Sequence, residues 1–191
     1  MELITFLSQH FTLDEYQRET INNAFDYQEH QKGTVFLTPN NTSINVIFLE
    51  EGFYRTFYYK DYKTVTHHFW AENTFNCPLE SVFYNEIAPY GWEALEKCRV
   101  RSISFLKFKT ILESVDYSNK FTTKILIDMI KIFMDRLNSI QLINAEKRYE
   151  DLINNHPDII LRASLGDIAS YIGITQQRLS VIRSKNKNLK I

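Results

Sequence analysis

The chain has 191 residues, of which 44% are hydrophobic and 24% are charged, and its formal net charge is −1. No stretch approaches the ~20 apolar residues of a membrane span, and no signal peptide is visible. The two cysteines, Cys77 and Cys98, cannot form a four-thiolate zinc or iron–sulfur site within one chain. We therefore expect a globular, cytoplasmic protein with structural thiols and no metal or other cofactor.

Charge is unevenly distributed along the chain. Residues 1–144 carry 14 basic and 18 acidic side chains, whereas residues 145–191 carry 8 basic and 5 acidic ones. The last sixteen residues contain five basic side chains and no acidic one: Arg178, Arg183, Lys185, Lys187 and Lys190. This asymmetry is typical of a polyanion-binding segment on a neutral body, and a merely solvated C-terminus is the alternative.

The N-terminal half has the pattern of one helix followed by short strands. Helical spacing over residues 13–24, with Thr12 as its N-cap, gives way to a sheet-like pattern that continues to about Phe105. The strands are predicted at 35–37, 44–49, 53–59, 64–70 and 98–105. Turn residues such as Gly52 separate them, so we expect an antiparallel β-roll or barrel.

Residues 117–144 form a predicted long helix that contains neither glycine nor proline. A heptad-like apolar seam runs along it through Leu126, Ile130, Phe133, Leu137 and Ile140. A second apolar stripe runs beside the seam through Phe121, Ile125, Met129, Ile132 and Ile143. A helix that is apolar on two faces must bury both. The seam could pair with an identical helix in a homodimer or lie at the centre of a monomeric core; its heptad regularity favours the homodimer.

Residues 164–183 have the pattern of two short helices joined by a tight turn. We expect Ser164 to cap the first helix, Thr175 to cap the second, and Gly173 to adopt a positive φ in the turn. The predicted inward positions are Leu165, Ile168, Ala169, Ile172, Ile174, Leu179 and Ile182. This spacing indicates a helix-turn-helix that offers its second helix to a major groove, with a generic αα-hairpin as the alternative.

Eight side chains of this segment are predicted to contact double-stranded DNA: Thr175, Gln176, Gln177, Arg178, Ser180, Val181, Arg183 and Lys185. Gln pairs bidentately with adenine and Val can touch a thymine methyl, so Gln176, Gln177 and Val181 predict an A·T-leaning half-site. The phosphate-positioning side chains are expected to be mostly Thr175, Arg178, Ser180 and Arg183.

Three segments resemble Crp/Fnr-family transcription regulators. Residues 168–175 (IASYIGIT), followed by Leu179-Ser180 and Ile182-Arg183, resemble the DNA-binding helices of that family. Residues 145–149 resemble the segment after its dimerisation helix, and residues 52–58 resemble a strand of its cyclic-nucleotide-binding-type roll. The resemblance implies a β-roll, a long helix and a winged-helix-like domain, working as a dimer on a near-palindromic operator.

The chain departs from the family pattern where cyclic AMP would bind. Members that bind cyclic AMP carry a Gly-Glu pair and an Arg-Ser pair, and this chain has Cys77-Pro78 and Pro89-Tyr90 at the matching places. No arginine lies between Arg55 and Arg99, although a cyclic phosphate needs a nearby cation. We therefore predict that cyclic AMP is not the effector. The cysteine-rich cluster of oxygen-sensing members is absent too, which argues against an iron–sulfur sensor.

The recognition segment departs as well, because Val181 stands where the family often has arginine, and the remaining residues leave room for only a short wing. Inside the roll, four residues could line an effector pocket, or they could simply be core: Glu80, Ser81, Tyr90 and Trp92. The adjacent His67 and His68 are expected to point to opposite faces of their strand and lack the spacing of a cupin metal site.

The sequence thus predicts an α+β protein: an antiparallel, double-stranded β-helix-type roll at 1–116, a dimerisation helix at 117–144 and a winged-helix-like helix-turn-helix domain at 145–191. The predicted function is a non-enzymatic, sequence-specific transcription regulator. Its predicted partners are double-stranded DNA and a second copy of the chain, with RNA polymerase and an unknown small-molecule effector as candidates and no membrane. Two alternatives stay open: a cupin-like ligand-binding barrel, and a protein-interaction module whose helix-turn-helix does not meet DNA.

Overall fold

The N-terminal segment folds as two helices rather than one. The structure, a computed structural model, describes residues 1–115 and 118–185, and it begins with α1 (Leu3–Leu7) and α2 (Glu15–Ala24). Asp14 caps α2, because its carboxylate accepts a hydrogen bond from Gln17 N at 2.7 Å while Asp14 N donates to Gln17 Oε1 at 3.0 Å. These two reciprocal hydrogen bonds form a capping box with Asp14 at the N-cap position of α2. The prediction of Thr12 as the cap was therefore wrong.

Eight antiparallel strands follow: β1 (Asp26–His30), β2 (Val35–Leu37), β3 (Asn45–Glu51), β4 (Tyr54–Lys60), β5 (Lys63–Trp70), β6 (Thr74–Asn76), β7 (Gly91–Ala94) and β8 (Cys98–Ser104). They form two four-stranded sheets, in the orders β1-β8-β3-β6 and β2-β7-β4-β5. The predicted antiparallel β domain is confirmed. The pattern missed β1, β6 and β7, which are short or polar and depend on the pairing of their neighbours.

Apart from a short π-helix at Glu80–Tyr84, between β6 and β7, the remaining helices of the described residues form the C-terminal half: α3 (Phe105–Glu113), α4 (Ser118–Leu142), α5 (Ala145–Asn155), α6 (Pro157–Arg162), α7 (Leu165–Tyr171) and α8 (Gln176–Lys185). The predicted boundary between the roll and the long helix, at 116/117, lies outside the described residues. Within the described residues, no helix combines the length and the apolarity needed to cross a membrane.

Three apolar clusters hold these elements together. One fills the space between the two sheets and includes Tyr54, Trp70 and Trp92. A second joins α1 and α2 to the outer face of the first sheet and to α3 and the start of α4. The third unites α5 to α8 and extends into the roll through Phe53, Phe69 and Leu95. The C-terminal helices therefore share a continuous core with the roll.

Candidate functional site

The helical pair, defined here as α7, α8 and the turn 172–175 between them, is organised by local hydrogen bonds. Ser164 Oγ accepts from Asp167 N at 3.1 Å and Thr175 Oγ1 accepts from Arg178 N at 3.2 Å, so both predicted caps are present. Gly173 has a φ of +73°, which side chains with a Cβ adopt at an energetic cost. The turn is closed by Ile174 N, which donates to Ala169 O at 2.9 Å.

The inner face of the helical pair is fully packed. Leu179 and Ile182 of α8 and Ile168, Ala169 and Ile172 of the preceding segment are all buried. The small side chain of Ala169 suits the close approach of the two helices. Leu179 and Ile182 fix the rotation of α8 about its axis and thereby decide which side chains it presents outward.

All eight residues predicted to contact DNA are exposed. Arg178 forms an ion pair with Glu146 of α5, so its guanidinium already has a counter-charge near α8. The other predicted cations of α8, Arg183 and Lys185, form no ion pair with the described residues. Lys187 and Lys190, which extend the basic segment, lie outside the described residues.

The long helix α4 presents an exposed apolar face. Four of the five predicted seam residues have high exposed fractions: Leu126 49%, Ile130 62%, Leu137 48% and Ile140 43%. Two further apolar residues, Ile127 and Met134, are exposed beside them. Phe133 differs, because it is half-buried against the roll and contacts His67 and His68.

Three of the five residues of the second apolar stripe of α4 pack on the chain's own β domain, whereas Ile132 is 39% exposed. Phe121 and Ile125 pack on the cluster around Phe48 and Phe75, and Met129 packs on the roll interior. Apart from Phe133, the seam residues of α4 are left exposed by the part of the chain that the structure describes.

The prediction that His67 and His68 point to opposite faces of their strand was wrong. The β4–β5 ladder shifts register here: Thr56 pairs with His68 but Phe57 pairs with Thr66, which leaves His67 unpaired in a β-bulge. Both rings consequently contact Phe133 of α4, at centroid distances of 5.6 and 5.9 Å. A bulge rotates one extra residue onto the neighbouring face, which alternation along a strand does not anticipate.

His68 gives the fold a predicted acid sensitivity. Burial, and to a lesser degree the nearby Arg136, lowers the pKa of His68 from 6.5 to about 3. The native state then binds fewer protons than the unfolded state between these pH values. Above pH 6.5 the protonation of His68 therefore does not reduce the free energy of unfolding. Below pH 6.5 the free energy of unfolding falls as the pH decreases, by up to about 1.4 kcal/mol per pH unit.

We expect His68→Phe to flatten the pH dependence of the free energy of unfolding below about pH 6.5. His67, whose pKa is also lowered by burial, leaves part of the slope in place. Urea unfolding at a series of pH values measures the slope, with the exposed His10→Gln as the control. Equal slopes for His68→Phe and the unmodified protein would show that His68 is not the acid-sensitive group.

Two arginines connect the long helix and α5 to the end of α7. Arg136 of α4 donates to Tyr171 O at 2.8 Å and lies over the Tyr171 ring at 4.3 Å. Arg148 of α5 donates to Ile172 O at 2.8 Å. Cations are favourable at a helix C-terminus, where carbonyl groups lack helical partners. Both α4 and α5 are therefore hydrogen-bonded to the end of α7.

A second set of polar contacts joins the roll to α6 and α7. Arg55, buried on β4, contacts Asp167 of α7 and also donates to Glu93 at 2.8 Å. Thr66 N of β5 donates to Ser170 Oγ of α7 at 2.8 Å.

Arg162 at the end of α6 makes a parallel connection to the roll. Its guanidinium donates to Glu72 and to Glu96, each at 2.6 Å, and lies over the Phe53 ring at 4.6 Å. The roll thus holds the helical pair from one side while α4 and α5 hold it from the other.

Of the four predicted effector-pocket residues, Ser81, Tyr90 and Trp92 are buried, whereas Glu80 is only partly buried. Tyr90 donates to Glu80 Oε2 at 2.7 Å, and Ser81 donates to Glu86 O at 2.9 Å. Tyr90 and Trp92 are buried members of the cluster between the sheets. Arg55, a buried cation of β4, is paired with Glu93 and Asp167.

The fold is shared with solved transcription-factor structures. A mutant of CooA from Carboxydothermus hydrogenoformans superposes with a TM-score of 0.74 at 19% identity, over 89% of this chain and 79% of CooA. The c-di-GMP-responsive regulator CLP of Xanthomonas campestris gives 0.72 at 10% identity, over 92% of both chains. A protein described within the crp/fnr family, from Eubacterium rectale, gives 0.71 at 16% identity, over 92% of this chain and 84% of that one. No protein-family model and no curated protein matches the sequence. The chain therefore has the fold of the Crp/Fnr-family regulators.

Proposed function

We propose that the protein is a homodimeric, sequence-specific DNA-binding transcription regulator of the Crp/Fnr type. One observation carries the proposal: Leu179 and Ile182 bury one side of α8 and leave its two glutamines, Arg183 and Lys185 exposed on the other faces. The fold shared with Crp/Fnr regulators supports this assignment. The proposal includes three domain ranges: the roll at 1–116, the dimerisation helix at 117–144 and the DNA-binding domain at 145–191. It also includes a contact with RNA polymerase.

The dimer is proposed to form through the exposed face of α4. Large apolar side chains in a heptad-like seam are suited to an identical helix related by a twofold axis. A twofold axis would present two copies of α8, which read half-sites one helical turn, about 34 Å, apart. The target is accordingly a near-palindromic operator.

Regulation is proposed to act through the orientation of α8. A signal at the roll that shifts α4 would move Arg136 and Arg148, and these arginines contact the carbonyls of Tyr171 and Ile172. The spacing and tilt of the two α8 helices would then change, and operator affinity with them.

The half-site contacts are tested by selecting binding sites from a random duplex pool. We expect an A·T-leaning consensus, and a Gln177→Ala variant that loses about 1–3 kcal/mol on that consensus and reads one position less strictly. Lys185→Ala should weaken binding uniformly across sequences and reduce the salt dependence. Ser184→Ala, on the same helix, is the control for folding. A consensus of invariant G·C pairs would contradict the proposed contacts.

Cyclic AMP is expected not to be the effector. The interior of the roll is filled by Tyr54, Tyr90 and Trp92, and the buried Arg55 is held by two carboxylates. Isothermal titration calorimetry with cyclic AMP should give no heat at micromolar concentrations. Micromolar binding would overturn this expectation.

DNA binding itself is measured by gel shift at several salt concentrations. Affinity should fall steeply as salt rises, because phosphate contacts release counter-ions. A dimer that shows no binding to duplex DNA at low ionic strength would instead favour the alternative of a protein-interaction module.

A further inference from the structure

A cleft of about 570 Å³ lies between the roll, the long helix and the helical pair. His68 and Phe69 line it from β5, Arg136 and Ile140 from α4, Arg148 from α5 and Tyr171 from α7. None of the four predicted effector-pocket residues lines it, and its wall includes parts of β5, α4, α5, α6 and α7. Ligand pockets in proteins commonly have volumes of about 300–1,000 Å³.

Two guanidinium groups in the cleft have no carboxylate partner. Arg136 and Arg148 contact backbone carbonyls, and neither forms an ion pair with any of the described residues. The two carbonyls belong to consecutive residues, Tyr171 and Ile172, so both cations lie at the same end of α7. A guanidinium has five N–H donors. Arg136 also donates to Thr66 O, and Arg148 also donates to Ile140 O and Ile143 O, which leaves three N–H groups on Arg136 and two on Arg148 without a hydrogen bond to the described residues.

The acidic side chains that line the cleft are compensated from elsewhere. Asp135 pairs with Lys131 at 2.6 Å, and Asp151 pairs with Lys147 at 3.1 Å. Asp158 lies in the first turn of α6, where the helix N-terminus favours a negative charge. The lining thus carries two guanidinium groups and three carboxylates, and two of the three carboxylates have a lysine partner outside the lining.

A buried polar atom in the cleft also lacks a partner. His68 Nδ1 is inaccessible and forms no hydrogen bond with any described residue. Around it the wall is apolar, with Phe53, Phe69 and Ile140 among the lining residues.

We propose that this cleft binds a small organic anion, with its carboxylate or phosphate on Arg136 and Arg148 and its apolar body against the phenylalanines. Binding there would fix α4 and α5 relative to the end of α7 and so set the orientation of α8. The regulatory part of this inference rests on the proposed DNA-binding function; the binding part does not.

A matched pair of probes tests the site: 1-naphthaleneacetate and its neutral amide, 1-naphthaleneacetamide, each titrated into the full chain by calorimetry. 1-Naphthyl phosphate provides the phosphate arm. We expect at least one of the two anions to bind at least tenfold more tightly than the amide. Arg136→Gln and Arg148→Gln should each weaken the anion at least tenfold and leave the amide unchanged.

Two controls separate the site from general effects. Lys124→Gln removes an exposed cation from the distant part of α4 and should not change binding. Ser139→Trp fills the cleft without removing a charge and should abolish binding of the anion. Thermal unfolding of each variant identifies any loss of fold, and Ser139→Trp tests the site independently of the arginines that also contact α7.

The inference is overturned by equal affinity of anions and amide, by undiminished anion binding in both arginine variants, or by no anion binding at millimolar concentration. Gel shifts with and without the anion are run in parallel. Anion binding without DNA binding would refute the proposed function and leave the site standing; DNA binding without anion binding would do the reverse.

Discussion

Ile130→Asp is expected to convert the protein into a monomer and to abolish detectable DNA binding. Ile130 is the most exposed of the five predicted seam residues, at 62%. In the proposed dimer the twofold axis buries two copies of the new carboxylate, and each unpaired buried charge costs several kcal/mol. The dimer dissociation constant should rise at least a thousandfold, which corresponds to about 4 kcal/mol.

Sedimentation equilibrium measures the change in association, and a gel shift on the selected operator measures its consequence. Asn138→Asp is the matched control, because it adds the same charge to the polar stripe of α4 that contains Lys131 and Asp135. The control should remain dimeric. A dimeric Ile130→Asp variant at micromolar concentration would place the interface elsewhere.

Arg55→Gln is expected to reduce the free energy of unfolding by about 3–5 kcal/mol, the usual cost of removing one partner of a buried ion pair. The Arg55 side chain is 8% exposed, and its partners Asp167 and Glu93 are 17% and 23% exposed. Loss of the guanidinium leaves both carboxylates without their counter-charge. It also removes donors to Thr66 and Thr64.

The position of Arg55 adds a second expected effect. Because Asp167 belongs to α7, the variant should loosen the docking of the helical pair on β5. Hydrogen exchange should therefore accelerate in α7 more than in the central strands of the roll.

Urea unfolding provides the stability, and Lys97→Gln provides the control. Lys97 and Glu29 form an exposed ion pair at 3.1 Å, so its loss should cost about 0–1 kcal/mol. A change of less than about 1 kcal/mol for Arg55→Gln would mean that the ion pair with Asp167 does not hold α7 on the roll.

The effect expected for Arg55→Gln follows from the packing of the helical pair, which shares its core with α5, α6 and the roll. Its buried residues continue into the roll through Phe53 and Phe69, and its polar contacts reach β4, β5 and α4. An event at the roll or at α4 therefore has a direct physical connection to α8.

The sequence by itself determined the elements whose signals are local. The heptad-like spacing predicted α4 to within two residues at its C-terminal end, and Ser164, Gly173 and Thr175 predicted the boundaries of the helical pair. These features depend on caps, turn conformation and helical period, which neighbouring residues decide.

Only the tertiary structure decided the features that depend on distant partners. The polar strand β1 exists because it pairs with β8, and the bulge at His67 arises from register with β4. Phe133, one of the predicted seam residues, packs against the roll, where its ring contacts His67 and His68. The ion pair between Arg55 and Asp167 joins residues 112 positions apart in the sequence. No local pattern predicts such a pair, because its contribution to stability depends on burial that the fold creates.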